Sequence, residues 1–192
     1  MVKSGDIVFM FNNNTYTYDK KFNSADVARE ICNIIKGTHD IKSGEYINLV
    51  DFGGVAEHFL GGRDGAEYIE NPPKIKQTNL SFIFSFLPSN QKFAESTIMH
   101  ETGLKSGFVG TIITTKKFGK KGKSEFANEL SKLMLFNYYD DTSSILDEVT
   151  QCSNSNCIWV QPDITSEFHN TLPNNEYVKI MSIPDFLTDI LE

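Results

Sequence analysis

Short apolar runs rich in β-formers alternate with stretches of helical period along this chain. Gly5–Phe11 predicts a strand, Asn12-Asn13-Asn14 a turn, and Thr15–Tyr18 a short strand or loop extension. Val27, Ile31, Ile34 and Ile35 recur at i, i+4, i+7 and i+8, so a helix from Ser24 to about Lys36 buries one face. Asn23-Ser24 supplies its cap and Gly37 its stop. Glu45–Phe52 reads as a strand, Gly53–Gly62 as one or two helical turns between glycine pairs, and 63–77, with Pro72-Pro73, as loop. Asn79–Leu87 is the clearest strand, with Leu80, Phe82, Phe84 and Phe86 on one side. A helix is expected from about Asn90 to Glu101.

The rhythm continues after Gly107. Phe108–Thr115 predicts a strand and Ser124–Phe136 a helix, its buried face being Phe126, Leu130, Leu133 and Met134. Ser143–Thr150 predicts a short helix or turn. Asn156–Gln161 and Glu176–Ser182 predict strands, and Pro184–Glu192 a last helix, with Ser182 as cap and Asp185 three residues on. Strands alternating with helices imply an α/β class, a mainly parallel sheet with flanking helices. The stretch 101–107 is a candidate joint, giving two similar α/β modules, 1–104 and 107–192. A single α/β domain over 1–192 is the alternative.

With 192 residues, 40% hydrophobic and 15 of them Phe, a substantial core is within reach. A net charge of −7 excludes a globally basic nucleic-acid coat, so any such contact is local. Met1–Asp6 is too polar for a leader, and no apolar run approaches the ~20 residues of a membrane span. Three cysteines, an odd number, read as reduced thiols in an intracellular protein of cytoplasm or nucleus.

Against this acidic background, Lys116, Lys117, Lys120, Lys121 and Lys123 fall within eight residues that hold no acid. They follow Thr114 and Thr115, where a strand hands over to a helix, a place that favours anions. Gly122-Lys123-Ser124 matches the end of a P-loop, but Lys117 stands where its first glycine would be, so a nucleotide cradle is not expected. A cationic turn for docking phosphate on nucleic acid or a phosphoprotein is expected instead, with a solvated lysine loop as the alternative.

A second candidate is Asp51-Phe52-Gly53-Gly54 with His58, a strand ending in Asp and then a glycine turn, where α/β sheets place sites. Met99-His100-Glu101-Thr102-Gly103-Leu104 begins like a zinc-protease helix but has Leu where the second histidine would be. No nucleophile elbow or paired cysteine set occurs, so neither cofactor nor metal is expected. Asp140-Asp141 and Asp147-Glu148 read as solvated or helix-start charges.

From Phe108 onward the chain resembles a BRCT domain. Phe108–Thr115 would be its first strand, Ser124–Phe136 its first helix, Cys157-Ile158-Trp159-Val160 its third strand, and Tyr177–Leu187 its closing strand and helix start, with Phe186 the buried anchor. The resemblance implies a binding module in which Thr114 or Thr115 contacts phosphate. The glycine pair that follows the family's first helix is replaced by Asn137-Tyr138-Tyr139-Asp140. The sequence therefore leaves three function classes. They are a non-enzymatic scaffold that docks phosphate-bearing partners through the lysine turn, a small α/β enzyme acting on a nucleotide or phosphate ester at Asp51, Gly53, Gly54 and His58, and an assembly protein that self-associates through its Phe-rich strands.

Overall fold

The computed structural model describes residues 7–19, 21–62, 66–87, 93–115, 119–150, 155–162 and 171–192. Its strands are β1 (Ile7–Phe11), β2 (Asn14–Tyr18), β3 (Tyr46–Val50), β4 (Ser81–Phe86), β5 (Gly110–Thr114), β6 (Leu135–Asp140), β7 (Asn156–Val160) and β8 (Lys179–Met181). Its helices are α1 (Ser24–Thr38), α2 (Glu57–Leu60), α3 (Phe93–Ser106), α4 (Gly119–Ser131), α5 (Ser143–Thr150) and α6 (Ile183–Ile190). All eight strands share one sheet, in the order β2-β1-β5-β4-β3-β6-β7-β8. From β5 through β8 neighbouring strands are parallel, and β1 and β2 pair antiparallel at one end. The expected α/β class is what the chain adopts. Strands from both halves of the chain interleave, with β5 lying between β1 and β4.

Helices cover both faces, and strand alternation divides the core accordingly. On one face Phe9, Leu49, Phe82, Phe84, Phe136 and Tyr138 pack against Val27, Ile31 and Ile35 of α1, Phe126 and Leu130 of α4, and Leu146 and Val149 of α5. On the other, Val8, Val50, Ile83, Ile113, Tyr139 and Ile158 meet Phe59 and Leu60 of α2, Met99 of α3, and Phe186 and Ile190 of α6. The sequence-expected caps form. Asn23 accepts from the Asp26 N–H at 2.8 Å, and Ser182 from the Asp185 N–H at 3.2 Å.

Four boundaries differ from expectation. α1 passes through Gly37 to Thr38 and is capped at His39, whose N–H donates to the Ile35 carbonyl, while the Thr38 hydroxyl donates to the carbonyls of the preceding turn. α3 starts at Phe93 and ends at Ser106, so most of the proposed joint at 101–107 is its last two turns. α4 begins at Gly119 and stops at Ser131, leaving Leu133 38% exposed. The largest difference follows from it: Leu135 and Phe136, expected to end that helix, open the strand β6, which runs to Asp140 next to β3 in mid-sheet. Its aromatic, β-forming residues fit a pleated surface buried on both sides.

A row of polar side chains sets the register of the central strands. Asn48 Nδ2 donates to Ser81 Oγ at 3.0 Å, Asn137 Nδ2 to Asn48 Oδ1 at 3.1 Å, and Asn156 Nδ2 to Asn137 Oδ1 at 2.9 Å. This row crosses β4, β3, β6 and β7 at one level, pairing Asn48 with Asn137 and Asn137 with Asn156. A slip of one residue would turn every member to the opposite face. Asn137→Ala orphans partners on both sides, so it is expected to cost about 1–3 kcal/mol in urea unfolding with an unchanged m-value.

Candidate functional site

Strand order reverses between β3 and β6. From β3 the chain moves outward through β4 to β5, and β6, on the other side of β3, leads outward to β7 and β8. In open parallel sheets such a switch point opens a crevice at the carboxyl ends of the strands, where ligands bind. Val50 pairs with Tyr139, so the next residues, Asp51 and Asp140, stand level there. Asp141 follows at once. Carboxylate oxygens of Asp51, Asp140 and Asp141 all lie within 4.8 Å of one another, and all three residues are buried.

Lys123 joins this cluster from α4. Its Nζ is 2.9 Å from Asp51 Oδ1 and 2.8 Å from Asp140 Oδ2. The ammonium also lies 5.0 Å from the Phe84 ring centre and 5.6 Å from that of Tyr138, and the residue is only 2% exposed. On the same helix, Ser124 Oγ donates to Glu148 Oε2 of α5 at 2.6 Å, which holds the two helices together. Asp140 accepts from several donors. Besides Lys123, the Tyr138 hydroxyl donates to Oδ2 at 2.6 Å and the Thr142 N–H to Oδ1 at 2.9 Å.

The environments push the two paired acids apart. Burial raises the Asp51 pKa well above the usual carboxyl range, and the Asp140 and Asp141 charges add to it, more than Lys123 offsets. Burial acts the same way on Asp140, but Lys123 and the donated hydrogen bonds outweigh it and hold Asp140 below its ordinary value. Burial would lower the Lys123 pKa, yet the two carboxylates raise it, so the amine stays charged. Lys123 pairs with Asp51 and Asp140, and carboxylates buried this close together favour a cation or a retained proton. Cys157 is no competing nucleophile: burial, then Asp140, pushes its thiol up to about 12.

The turn after Asp51 packs against Asp141. Phe52–Ala56 leaves helical geometry at Gly53 and Gly54, and Gly54 has φ +74°. A methyl group built on Gly54 would collide with Oδ2 of Asp141, so glycine is required by contact as well as by backbone. His58 Nε2 is 3.1 Å from the Gly54 carbonyl.

Asp51, Gly53, Gly54 and His58 come together at the switch point. Thr114 and Thr115 are both fully buried at the end of β5. Lys116 and Lys117 lie outside the described residues; Lys120 and Lys121 are in the first turn of α4. Lys123, expected on a phosphate-docking turn, is instead enclosed by acids. Asp140 and Asp141, expected as solvated charges, are 1% and 5% exposed. What hid them was the over-long helix assigned to 124–136. The available signal was the aromatic run Phe136–Tyr139 ending in Asp-Asp just before a Ser-rich helix start.

Lys123→Met strips Asp51 and Asp140 of their counter-charge and is expected to cost about 3–5 kcal/mol at pH 7. Adding Asp51→Asn to it should recover part of the loss, because it removes one of the stranded charges; urea unfolding of the double-mutant cycle measures both. Comparison with family models, curated proteins and solved structures gives no match.

Proposed function

We propose that the chain is a divalent-cation-dependent enzyme of phosphoryl transfer, hydrolysing a phosphate ester or anhydride at Asp51. The observation that supports this best is the cluster of Asp51, Asp140 and Asp141 at the sheet's switch point, with Lys123 paired to the first two. Oxygen-only donors suit a hard cation such as Mg2+, which takes one or two carboxylates and leaves positions for water and substrate phosphate. When bound, the cation would supply charge neutralisation for the phosphoryl oxygens. Asp51 and Asp141 are the residues to hold it, while Asp140, engaged by three donors, anchors Lys123.

Asp51 is the residue for attack on phosphorus. Its carboxylate forms a bond to phosphorus as the bond to the leaving oxygen breaks, and the leaving oxygen departs with a proton from solvent or a nearby acid. Water then attacks the acyl phosphate, releasing inorganic phosphate and restoring the carboxylate. Lys123, already beside Asp51, stabilises the negative charge that builds up in both steps. This is the phosphate-ester reading of the sequence. It is preferred to docking through the lysine turn because Lys123 is held by Asp51 and Asp140. Among the described residues no helix is long and apolar enough to cross a membrane.

The full chain is expected to hydrolyse members of a panel of p-nitrophenyl phosphate, acetyl phosphate and nucleotides with Mg2+ and not with EDTA. Asp51→Asn should lower turnover by about three orders of magnitude or more. Absence of turnover and of any Mg2+ effect on Tm, together with salt-sensitive binding of nucleic acid or phosphopeptide, would favour docking instead.

The Asp51 shift gives a pH signature. The folded, metal-free protein holds this proton more tightly than the unfolded chain, so its stability falls as pH rises above the ordinary carboxyl range of ~4 towards the raised value. Asp140 acts in a separate window, its stabilisation being lost as pH falls below that range. Mg2+ displaces the Asp51 proton, so its affinity should increase with pH over the first window. Calorimetry in two buffers of different ionisation enthalpy should register the released proton.

A further inference from the structure

We infer that Glu57 and His58 are positioning residues for Asp141, acting through the Gly54 peptide. This rests on the reading of the three acids as a cation site. The Asp141 carboxylate packs directly on the face of Gly54 where another residue would carry its Cβ, so the place of that peptide sets the place of the carboxylate. Gly54 lies in left-handed backbone, with φ +74° and ψ 1°, between the end of β3 and α2. Left unsupported, a glycine there would sample several conformations.

Both polar groups of Gly54 are held from α2. The Gly54 N–H donates to Glu57 Oε1. Its carbonyl accepts from His58 Nε2 at 3.1 Å; a carbonyl cannot donate, so the imidazole carries a proton on Nε2. The adjacent Phe59 and Leu60, 3% and 0% exposed, root the same short helix in the core. Rigidity therefore passes from core to α2, from α2 through two side chains to one peptide, and from that peptide to a metal-binding oxygen. Removing groups that orient a metal-binding side chain costs about 10–100-fold in metal affinity.

The structure also supplies a reporter. Trp159, the chain's single tryptophan, donates from Nε1 to the Asp141 carbonyl at 2.9 Å. The experiment is a titration of the full chain with Mg2+, and with Mn2+ as a quenching analogue, followed by Trp159 fluorescence. Wild type is expected to give a saturable change. Glu57→Ala, His58→Ala and the double variant should move its midpoint upward, the double by about tenfold. Glu57→Gln, which keeps an acceptor for the Gly54 N–H, should stay close to wild type. Tm in EDTA separates this from plain loss of structure: a structural role would lower Tm and leave the midpoint in place. If the double variant does not fold, the single variants and Glu57→Gln carry the test. A wild-type response with unmoved midpoints in the alanine variants would overturn this inference alone. A wild type that does not respond to either cation would remove the cation site itself, and this inference with it.

Discussion

A single buried ammonium holds the centre of this protein together. Lys123 lies between Asp51 at the end of β3 and Asp140 at the end of β6, the two strands that diverge at the switch point. Without that charge the crevice would bring together acids that cannot all ionise beside one another. With it, one acid is strongly ionised and the other is poised to hold a proton or meet a cation. The requirement extends outward. Lys123 can reach both acids only because α4 packs on Phe84 and Tyr138 and is tied to α5 through Ser124 and Glu148.

Register is the second constraint, and it links the core to the chemistry. The row Ser81, Asn48, Asn137 and Asn156 fixes β4, β3, β6 and β7 at one level, and three residues further on that level brings Asp51 opposite Asp140. Polar groups buried in mid-sheet add less stability than apolar packing would, but each is satisfied only in one register. The site therefore depends on side chains well away from it. The strain expected of an acidic cluster is concentrated in Asp51, whose proton affinity is raised by burial and by the neighbouring carboxylates.

Much of the fold was legible because local signals and tertiary packing agree. α1 follows its Val27–Ile31–Ile35 stripe, α6 its Ser182 cap, and β4 its Phe-rich alternation. The site was half legible. Asp51, Gly53 and Gly54 show the strand-to-glycine-turn pattern directly, because that pattern is local. Asp140, Asp141 and Lys123 did not, for two physical reasons. The apolar spacing of Phe126, Leu130, Leu133 and Met134 continues a helical period past Ser131, so the first two residues of β6 read as helix and the acids at its far end as surface charges. Lys123 sits among other lysines that give it the look of a solvated turn, and only the pairing of β3 with β6 shows that two carboxylates wait for it. Charge compensation across 72 residues of chain leaves no mark on local composition.

Phosphoryl transfer as proposed passes through a covalent phosphate on Asp51. The most direct measurement is to mix the full chain with Mg2+ and acetyl phosphate, quench in acid, reduce with borohydride and locate the modified residue by peptide mass spectrometry. The account predicts conversion at Asp51, dependent on Mg2+ and lost in Asp51→Asn. Turnover of phosphate esters with no modification at residue 51, or with modification at another residue, would contradict it.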